Sequence, residues 1–438
     1  QNWKMPVDLG AHQLQLANKV IGLSCVLTQM HEDGHSQATM NNVLALIQDL
    51  TTNMTYDIRG PAKVALNYYL HEVNDGTFRK LFRVTRGEFD ELLELLINDP
   101  RSYLHQVATN HSRTRYVQPK QALAMWLLYH AYYGATEIVA ATCGYHSNTV
   151  LRFVHSITDY FNLVMKEHIY IPSSEQERAD TARTFYDNCH FPNVLLAIDG
   201  THVIMQAPTL FHEQYINRKG SHSLTFQVAV NARRIICDIY GGIPGSLSDI
   251  TLWNYSSLNA RFHRGEFRQY KMLGDAIYPR SSPYFYVPYP ATRFAHQINY
   301  NYWQSRGRMP VECTFGIVKR RFPILMFPWT HNPDKVRKTF IACCVVHNIL
   351  QRRRTYEDAE ELTGRLGPGV NPLPQDMDEV GDQVGDLAEA GGVVDEGLDD
   401  DEDAAPPVLS EAIVSAIHRQ LHNRDRFAAT LPPRPVLL

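Results

Sequence analysis

The pattern of apolar and polar positions divides the chain into a helical first part and a mixed second part. Before about residue 190, apolar residues recur every three or four positions, as at Phe89, Leu92 and Leu96, which is the spacing of amphipathic helices. Beyond it, short apolar runs of strand length appear, first at residues 194–198 and later as an alternating segment at 223–230. The pattern therefore predicts a helical region followed by an α/β domain.

Two segments of the helical part carry more specific predictions. Residues 11–58 predict a helical hairpin that precedes the main fold. Residues 134–154 follow the order helix, glycine-containing turn, helix, with Ser147 predicted to cap the second helix. This pattern resembles a helix-turn-helix, but Arg152 is the only cation at the start of its second helix. Binding in a DNA groove and a purely structural helical subdomain therefore both stay open.

Two aspartates follow apolar strands. Residues 194–198 form a continuous apolar run, and Asp199-Gly200 is predicted to end it, as in a buried strand that delivers one carboxylate to its end. Asp275 follows a second apolar strand pattern, at 270–274, in the same way. The alternative for Asp199 is an ordinary Asp-Gly turn between two strands.

Two further acids lie next to predicted helices. Asp249 stands where a Gly/Pro-rich loop leads into a helix, a position at which a carboxylate is also explained as a cap for free amides. Glu312 lies on a helix predicted to begin at Pro310. Together, the two strand-end aspartates and Glu312 would form a cluster of hard oxygen ligands that suits Mg²⁺ or Mn²⁺. The sequence therefore predicts a divalent metal centre.

Charge is strongly segregated, although the whole chain has a net charge of −4. Residues 191–355 contain 21 Lys and Arg against 8 Asp and Glu, which gives +13. Residues 356–403 contain 1 against 17, which gives −16 and predicts an acidic disordered tail. A basic domain attracts and steers a polyanion, so a nucleic-acid substrate is favoured over a small phosphate ester.

Cations near the predicted acids could hold such a polyanion. Arg218 and Lys219 precede Gly220 and suit a phosphate grip, the alternative being a solvated loop. A second group follows Glu312 by about two helical turns and would line the same groove. It consists of Lys319, Arg320 and Arg321. Residues 279–308 predict a long connection whose aromatics and arginines either stack on unpaired bases or form a packed lid over the core.

Composition narrows the class of protein further. No run of 18 or more apolar residues occurs, and the beginning lacks an apolar stretch bounded by a cleavage signal, so we expect a soluble, unsecreted protein. The cysteines number 7, and none pair as Cys-x-x-Cys. We therefore expect reduced, mostly buried thiols and no zinc site.

Seven motifs resemble, in content and order, those of the PIF/Harbinger transposases and the Harbinger transposase-derived nucleases, over about residues 75–352. They are Ala-Ile-Asp-Gly-Thr-His at 197–202, Tyr-Ile-Asn-Arg-Lys-Gly at 215–220, Pro-Gly-Ser-Leu-Ser-Asp at 244–249, Leu-Gly-Asp at 273–275, Val-Glu-Cys-Thr-Phe-Gly at 311–316, Lys-Arg-Arg-Phe at 319–322 and Ala-Cys-Cys-Val-Val-His-Asn at 342–348. The resemblance implies an RNase H-like nuclease core whose acids hold divalent metal, Mg²⁺ or Mn²⁺. Asp199, Asp275 and Glu312 would be the principal catalytic ligands, with Asp249 a fourth. The implied reaction is cut-and-paste transposition of DNA, on transposon ends and target, with a separate Myb-like DNA-binding partner in the nucleus.

We therefore expect an α/β fold, in which an RNase H-like core with a mixed five-stranded sheet follows a helical region with the helix-turn-helix-like segment. The predicted parts are a helical N-terminal segment (1–75), the helical region (76–190), the nuclease domain (191–355), the acidic disordered tail (356–408) and a short amphipathic helix with the terminus (409–438). No sequence feature decides whether that last helix docks on a partner or back on its own domain. The predicted function is a metal-dependent endonuclease or transposase that hydrolyses phosphodiesters and transfers strands. The competing hypothesis is a domesticated, catalytically silent nuclear protein that binds DNA or chromatin; the oligomeric state stays open.

Overall fold

The computed structural model describes residues 61–109, 117–352 and 426–432, together with the single residues Leu23 and Val43. The predicted hairpin at 11–58, the acidic tail and the amphipathic segment at 409–421 lie outside these ranges, apart from those two residues. Among the described helices, none has the length and apolar character needed to cross a membrane.

Helices fill the described chain before the sheet. They are α1 (Pro61–His71), α2 (Asp75–Phe82), α3 (Arg86–Asn98), α4 (Tyr103–Thr109), α5 (Pro119–Ala131), α6 (Thr136–Cys143), α7 (Ser147–Leu163), α8 (Met165–His168) and α9 (Glu175–Cys189). At the start of α3, Thr85 and Glu88 form a capping box, each side chain accepting from the other's backbone amide. Helix α5 is buried on all sides from Gln121 onwards and forms the centre of this region.

The helix-turn-helix pattern is present as α6, a turn and α7. Gly144 ends α6 in the left-handed conformation at φ +69°, which glycine adopts without steric cost. The N-cap of α7 is His146 and not Ser147 as the sequence predicted, because the His146 ring accepts the hydrogen bond from the Asn148 amide. Helix α7 packs against α5, and its contact with DNA stays a prediction.

The sheet is mixed and five-stranded, as predicted. Its strands are β1 (Val194–Ile204), β2 (Ser223–Val230), β3 (Ile236–Pro244), β4 (Lys271–Leu273) and β5 (Phe285–Tyr286), in the spatial order β3-β2-β1-β4-β5. The first three strands are antiparallel, while β4 pairs parallel to β1 and β5 parallel to β4. This arrangement is consistent with the expected RNase H-like core.

Helices cover both faces of the sheet. After β3 come α10 (Asp249–Tyr255) and α11 (Ser257–His263), and after β5 come α12 (Ala295–Arg321) and α13 (Pro333–Arg352). Trp253 of α10 and Phe262 of α11 pack on one face, in a cluster with Ile198. The opposite face shares a continuous apolar core with α5, α7 and α13, so the helical region and the sheet are packed as one body.

Further local predictions were wrong. Strand β1 continues through Asp199-Gly200 as far as Ile204, so this dipeptide is neither a strand end nor a turn. Pro310 lies inside α12 and does not begin it, and residues 295–308 are helix and not part of a long connection. A proline removes only one intrahelical donor, and the buried side chains of Tyr300 and Val311 hold the helix on both sides of it.

A short segment at residues 426–432 packs against the α/β domain. The Phe427 ring meets Phe191 edge-on at 5.2 Å between centroids. On α12, Trp303 donates its indole N–H to the Pro432 carbonyl at 2.6 Å, and Asn299 donates to the Leu431 carbonyl at 3.1 Å. The chain therefore returns to its own domain at residues 426–432.

Candidate metal centre

Three carboxylates converge at one edge of the sheet. One oxygen from each of Asp199, Asp249 and Asp275 lies within 4.8 Å of the others. Strand register explains the first pair, because Ala197 of β1 pairs with Leu273 of β4 and each aspartate follows two residues later along parallel strands. Strand β4 pairs with β1 only as far as Ala197, so Asp199 lies just past the paired segment, although its own strand continues.

Asp249 reaches the pair from the first turn of α10. Ser248 is the N-cap there and accepts from the Thr251 amide, so the Asp249 carboxylate is not needed as the cap that the sequence had suggested. It lies directly over Gly200, where a Cβ atom would stand 2.1 Å from its Oδ1. The glycine in Asp-Gly therefore makes room for the third carboxylate.

The acids perturb one another. Burial raises the pKa of Asp199 to about 6, with Asp275 and Asp249 adding to the shift and Arg308 opposing it. Burial and then the charge of Asp275 also raise the pKa of Asp249. Three hard oxygen donors crowded in this way fit a divalent cation, which would relieve their repulsion.

Glu312 stands apart from the three aspartates. Arg308, one turn earlier on α12, donates to Asp199 at 3.0 Å and lies 3.6 Å from Glu312. The Glu312 side chain is 50% exposed, and it is absent from the cluster found among the described residues. The geometry thus places Asp249, not Glu312, beside the two core aspartates. Sequence reasoning missed Arg308 because it assigned that residue to a connection; its i, i+4 spacing to Glu312 was the available signal.

A positive surface adjoins the acids. The pKa of Lys319 falls to about 8, first through burial and then through the charge of Lys219, while Asp199 opposes the shift. Burial, followed by Lys319, Arg218 and Lys219, also lowers the pKa of His202. These mutual effects place Arg218, Lys219 and Lys319 within electrostatic reach of His202, and Lys319 within reach of Asp199.

The loop that carries two of these cations is built around Asn217. Its side-chain oxygen accepts from the amides of Lys219 and Ser221 at 2.9 and 3.1 Å, and its NH₂ donates to Ser223 Oγ at 3.0 Å. These two amides are therefore already bonded within the loop, while the side chains of Arg218 and Lys219 are exposed.

The three basic residues at the end of α12 separate in space. Arg321 is 5% exposed and lies 3.9 Å from Glu88 of the helical region. That burial leaves little surface for a phosphate, and Arg321 instead links the helical region to the α/β domain. Arg320 is exposed, whereas Lys319 is half-buried and within electrostatic reach of Asp199.

Comparisons with known proteins agree on one class. A family model described as DDE superfamily endonuclease matches residues 198–348. The protein named Putative nuclease HARBI1 is 26% identical in Mus musculus and 24% identical in Homo sapiens, each over 271 residues that cover 59% of this chain and 77% of the relative. The Xenopus laevis protein of the same name is 23% identical over 285 residues, 64% of this chain and 80% of the relative. No solved structure matches significantly.

Proposed function

We propose that this protein cleaves DNA phosphodiesters with divalent metal at Asp199, Asp249 and Asp275. The premise is that residues 198–348 belong to the DDE superfamily endonucleases and that the chain is homologous to HARBI1. The observation that carries the proposal is the convergence of these three carboxylates within 4.8 Å. Homology to nucleases supports the class of reaction, and the convergence of the three carboxylates supports them as the metal ligands.

A divalent ion bound there supplies a Lewis acid for a phosphodiester oxygen and lowers the pKa of the attacking water. The described residues provide the setting for that chemistry. Gly200 and the Ser248 cap leave the Asp249 carboxylate free to face the two strand aspartates. Arg308 orients Asp199 through their 3.0 Å hydrogen bond. Mg²⁺ and Mn²⁺ both suit this oxygen donor set.

Substrate is held by the adjoining cations. Arg218, Lys219 and Lys319 all act electrostatically on His202, three residues after Asp199, and charge-assisted bonds from such side chains position a phosphate. Arg320 adds a further exposed charge at the end of α12. DNA is the polyanion that the nuclease family implies, and this surface would bring a backbone phosphate to the acids.

The biological reaction is part of the proposed function. We infer cut-and-paste transposition by strand transfer, on transposon ends and target, with a separate Myb-like DNA-binding protein in the nucleus. The support is the order of the Harbinger motifs and the presence of every expected acid. Copies of the gene flanked by terminal inverted repeats would support transposition. A single copy without repeats would favour the domesticated, silent alternative.

The direct test is nicking of supercoiled plasmid by purified protein in Mg²⁺ or Mn²⁺. We expect cleavage that stops in chelator and in Asp275→Asn. Asp238→Asn is the matched control, because Asp238 is also a strand aspartate whose pKa burial raises to about 6, yet it lies outside the cluster. Full activity after exhaustive chelation, or equal loss in both variants, would refute the proposal.

A further inference from the structure

The connection between β1 and β2 exposes two large apolar side chains. Leu210 is 70% exposed and Phe211 is 73% exposed. Phe211 also has φ +54°, a left-handed conformation that is unfavourable for a bulky residue. A ring that is both solvent-exposed and held in a strained backbone contributes nothing to packing, so the demands of folding do not explain its presence.

Hydrogen bonds hold the backbone at Phe211 relative to the loop that leads to Asp249. The Phe211 carbonyl accepts from the Gln214 amide at 3.0 Å, within a short 3₁₀ turn. The Gln214 carbonyl in turn accepts from the Ser246 amide at 3.3 Å, and Ser246 lies three residues before Asp249. Phe211 is therefore separated from the loop that carries an acidic ligand by a single turn of chain.

Tight packing at Gly245 strengthens this connection. A Cβ atom at Gly245 would lie 2.2 Å from Ser223 Oγ and 3.0 Å from the Tyr215 carbonyl oxygen. The loop that leads to Asp249 and the end of the 3₁₀ turn thus meet backbone to backbone. The ring is presented by an anchored segment, which is how a docking side chain is preorganised.

The connection that carries the ring also carries two exposed cations. Arg218 and Lys219 lie seven and eight residues after Phe211, with the acid Glu213 between them and the ring, and Arg218 acts electrostatically on Asp249. The exposed apolar edge is completed by Ile216 and Leu247, each 39% exposed. An aromatic face beside phosphate-binding cations is the combination that binds unstacked bases of nucleic acid.

We propose that Phe211 stacks on a DNA base displaced from the double helix next to the phosphate that Arg218 and Lys219 hold. The inference rests on the proposed DNA cleavage and adds to it a subsite for an unpaired base. Every base presents a π face, so the subsite selects unstacked structure and not sequence. Sites that open easily, such as pyrimidine–purine steps, would then be cut preferentially.

The test uses the full chain carrying Asp275→Asn, so that DNA is bound without being cut, and duplexes with 2-aminopurine placed at each position around the cleavage site. We expect a fluorescence increase at one position, lost in Phe211→Ala and retained in Phe211→Tyr. Affinity for a duplex with an unpaired base there should fall about tenfold in Phe211→Ala. Tyr186→Ala, which removes a ring that is 51% exposed on α9, is the matched control and should change neither signal.

The variant Phe211→Gly tests whether the ring is needed for DNA binding without disturbing the fold. Glycine accepts the left-handed conformation, so its melting temperature should equal or exceed that of the parent protein while the fluorescence signal is lost. If Phe211→Ala keeps both the fluorescence increase and the affinity for DNA, the inference is wrong. If Phe211→Ala instead weakens only the binding of another protein, the surface belongs to a protein partner. If the chain carrying wild-type acids neither binds nor cuts DNA, the proposed function itself fails.

Discussion

Gly200→Ala should abolish cleavage without destabilising the protein. The added methyl carbon would stand 2.1 Å from the nearest oxygen of Asp249, whereas ordinary contact begins near 3.4 Å, so the carboxylate must retreat by about 1.3 Å. The Asp249 side chain lies in the first turn of α10, directly after a loop, and can rotate away. Gly200 lies in the extended backbone of β1, where alanine is preferred to glycine by roughly 0.5–1 kcal/mol. Strand and helix should therefore stay in place.

The effect on function should be large. A displacement of about 1 Å in a reacting constellation can cost roughly 100-fold in rate, so we expect at least that loss in plasmid nicking. Affinity for Mn²⁺, measured by isothermal titration calorimetry, should fall as well. The melting temperature in metal-free buffer should be unchanged or slightly higher.

Gly316→Ala is the matched control. This glycine lies on α12 with nothing within 4 Å of its added Cβ, so the variant should cut at the normal rate and be stabilised by up to about 1 kcal/mol. If Gly200→Ala cut DNA as fast as the parent protein and with the same metal dependence, Asp249 would tolerate displacement. The compact triad would then not be the working site.

Three further results should follow. Asp249→Asn and Asp275→Asn should each remove more cleavage activity than Glu312→Gln, because Glu312 lies outside the cluster; single-turnover nicking assays would show the reverse order if that geometry were misleading. In metal-free buffer, the free energy of unfolding of the wild-type protein should fall relative to that of Asp199→Asn as the pH rises from about 4 to above 6. The pKa of Asp199 is raised in the folded state, so the folded state favours the protonated carboxyl and loses stability as that carboxyl ionises. Identical melting curves in both proteins would contradict this. Deletion of residues 356–408 should strengthen DNA binding at low salt and much less at high salt, since that segment competes for the basic domain; anisotropy titrations giving one affinity at all KCl concentrations would contradict it.

Most of the fold was predictable because its signals are local. The capping box at Thr85 and the apolar run of β1 each depend on neighbouring residues, and both appear in the structure. The extent of α12 was not predictable in this way. Pro310 is a helix breaker by propensity, but tertiary burial of Tyr300 and Val311 around it overrides that preference.

The candidate site was predictable in composition but not in arrangement. The four acids could be selected from strand and helix patterns, although Asp199 proved to lie inside β1 and Glu312 inside α12. Which of them meet depends on strand register and on the space above Gly200, and neither is encoded within a short window. Arg308 illustrates the same limit, because its contact with Asp199 joins residues 109 positions apart.

The charges at the site connect stability to function. Within the described residues, the cluster has one direct ion pair, from Arg308 to Asp199, and none reaches Asp249 or Asp275. The fold therefore holds Asp249 and Asp275 next to each other without a direct ion pair. Burial first, and then the charge of Asp275, raise the pKa of Asp249, and Arg218 opposes the shift only from a distance. An ion that binds only the folded state returns stability by mass action, about 2.7 kcal/mol at a concentration 100 times its Kd. Because Asp199 already has a guanidinium partner, the ion's largest gain would come from Asp249 and Asp275, so removing either carboxylate should weaken metal-induced stabilisation while raising the stability of the metal-free fold.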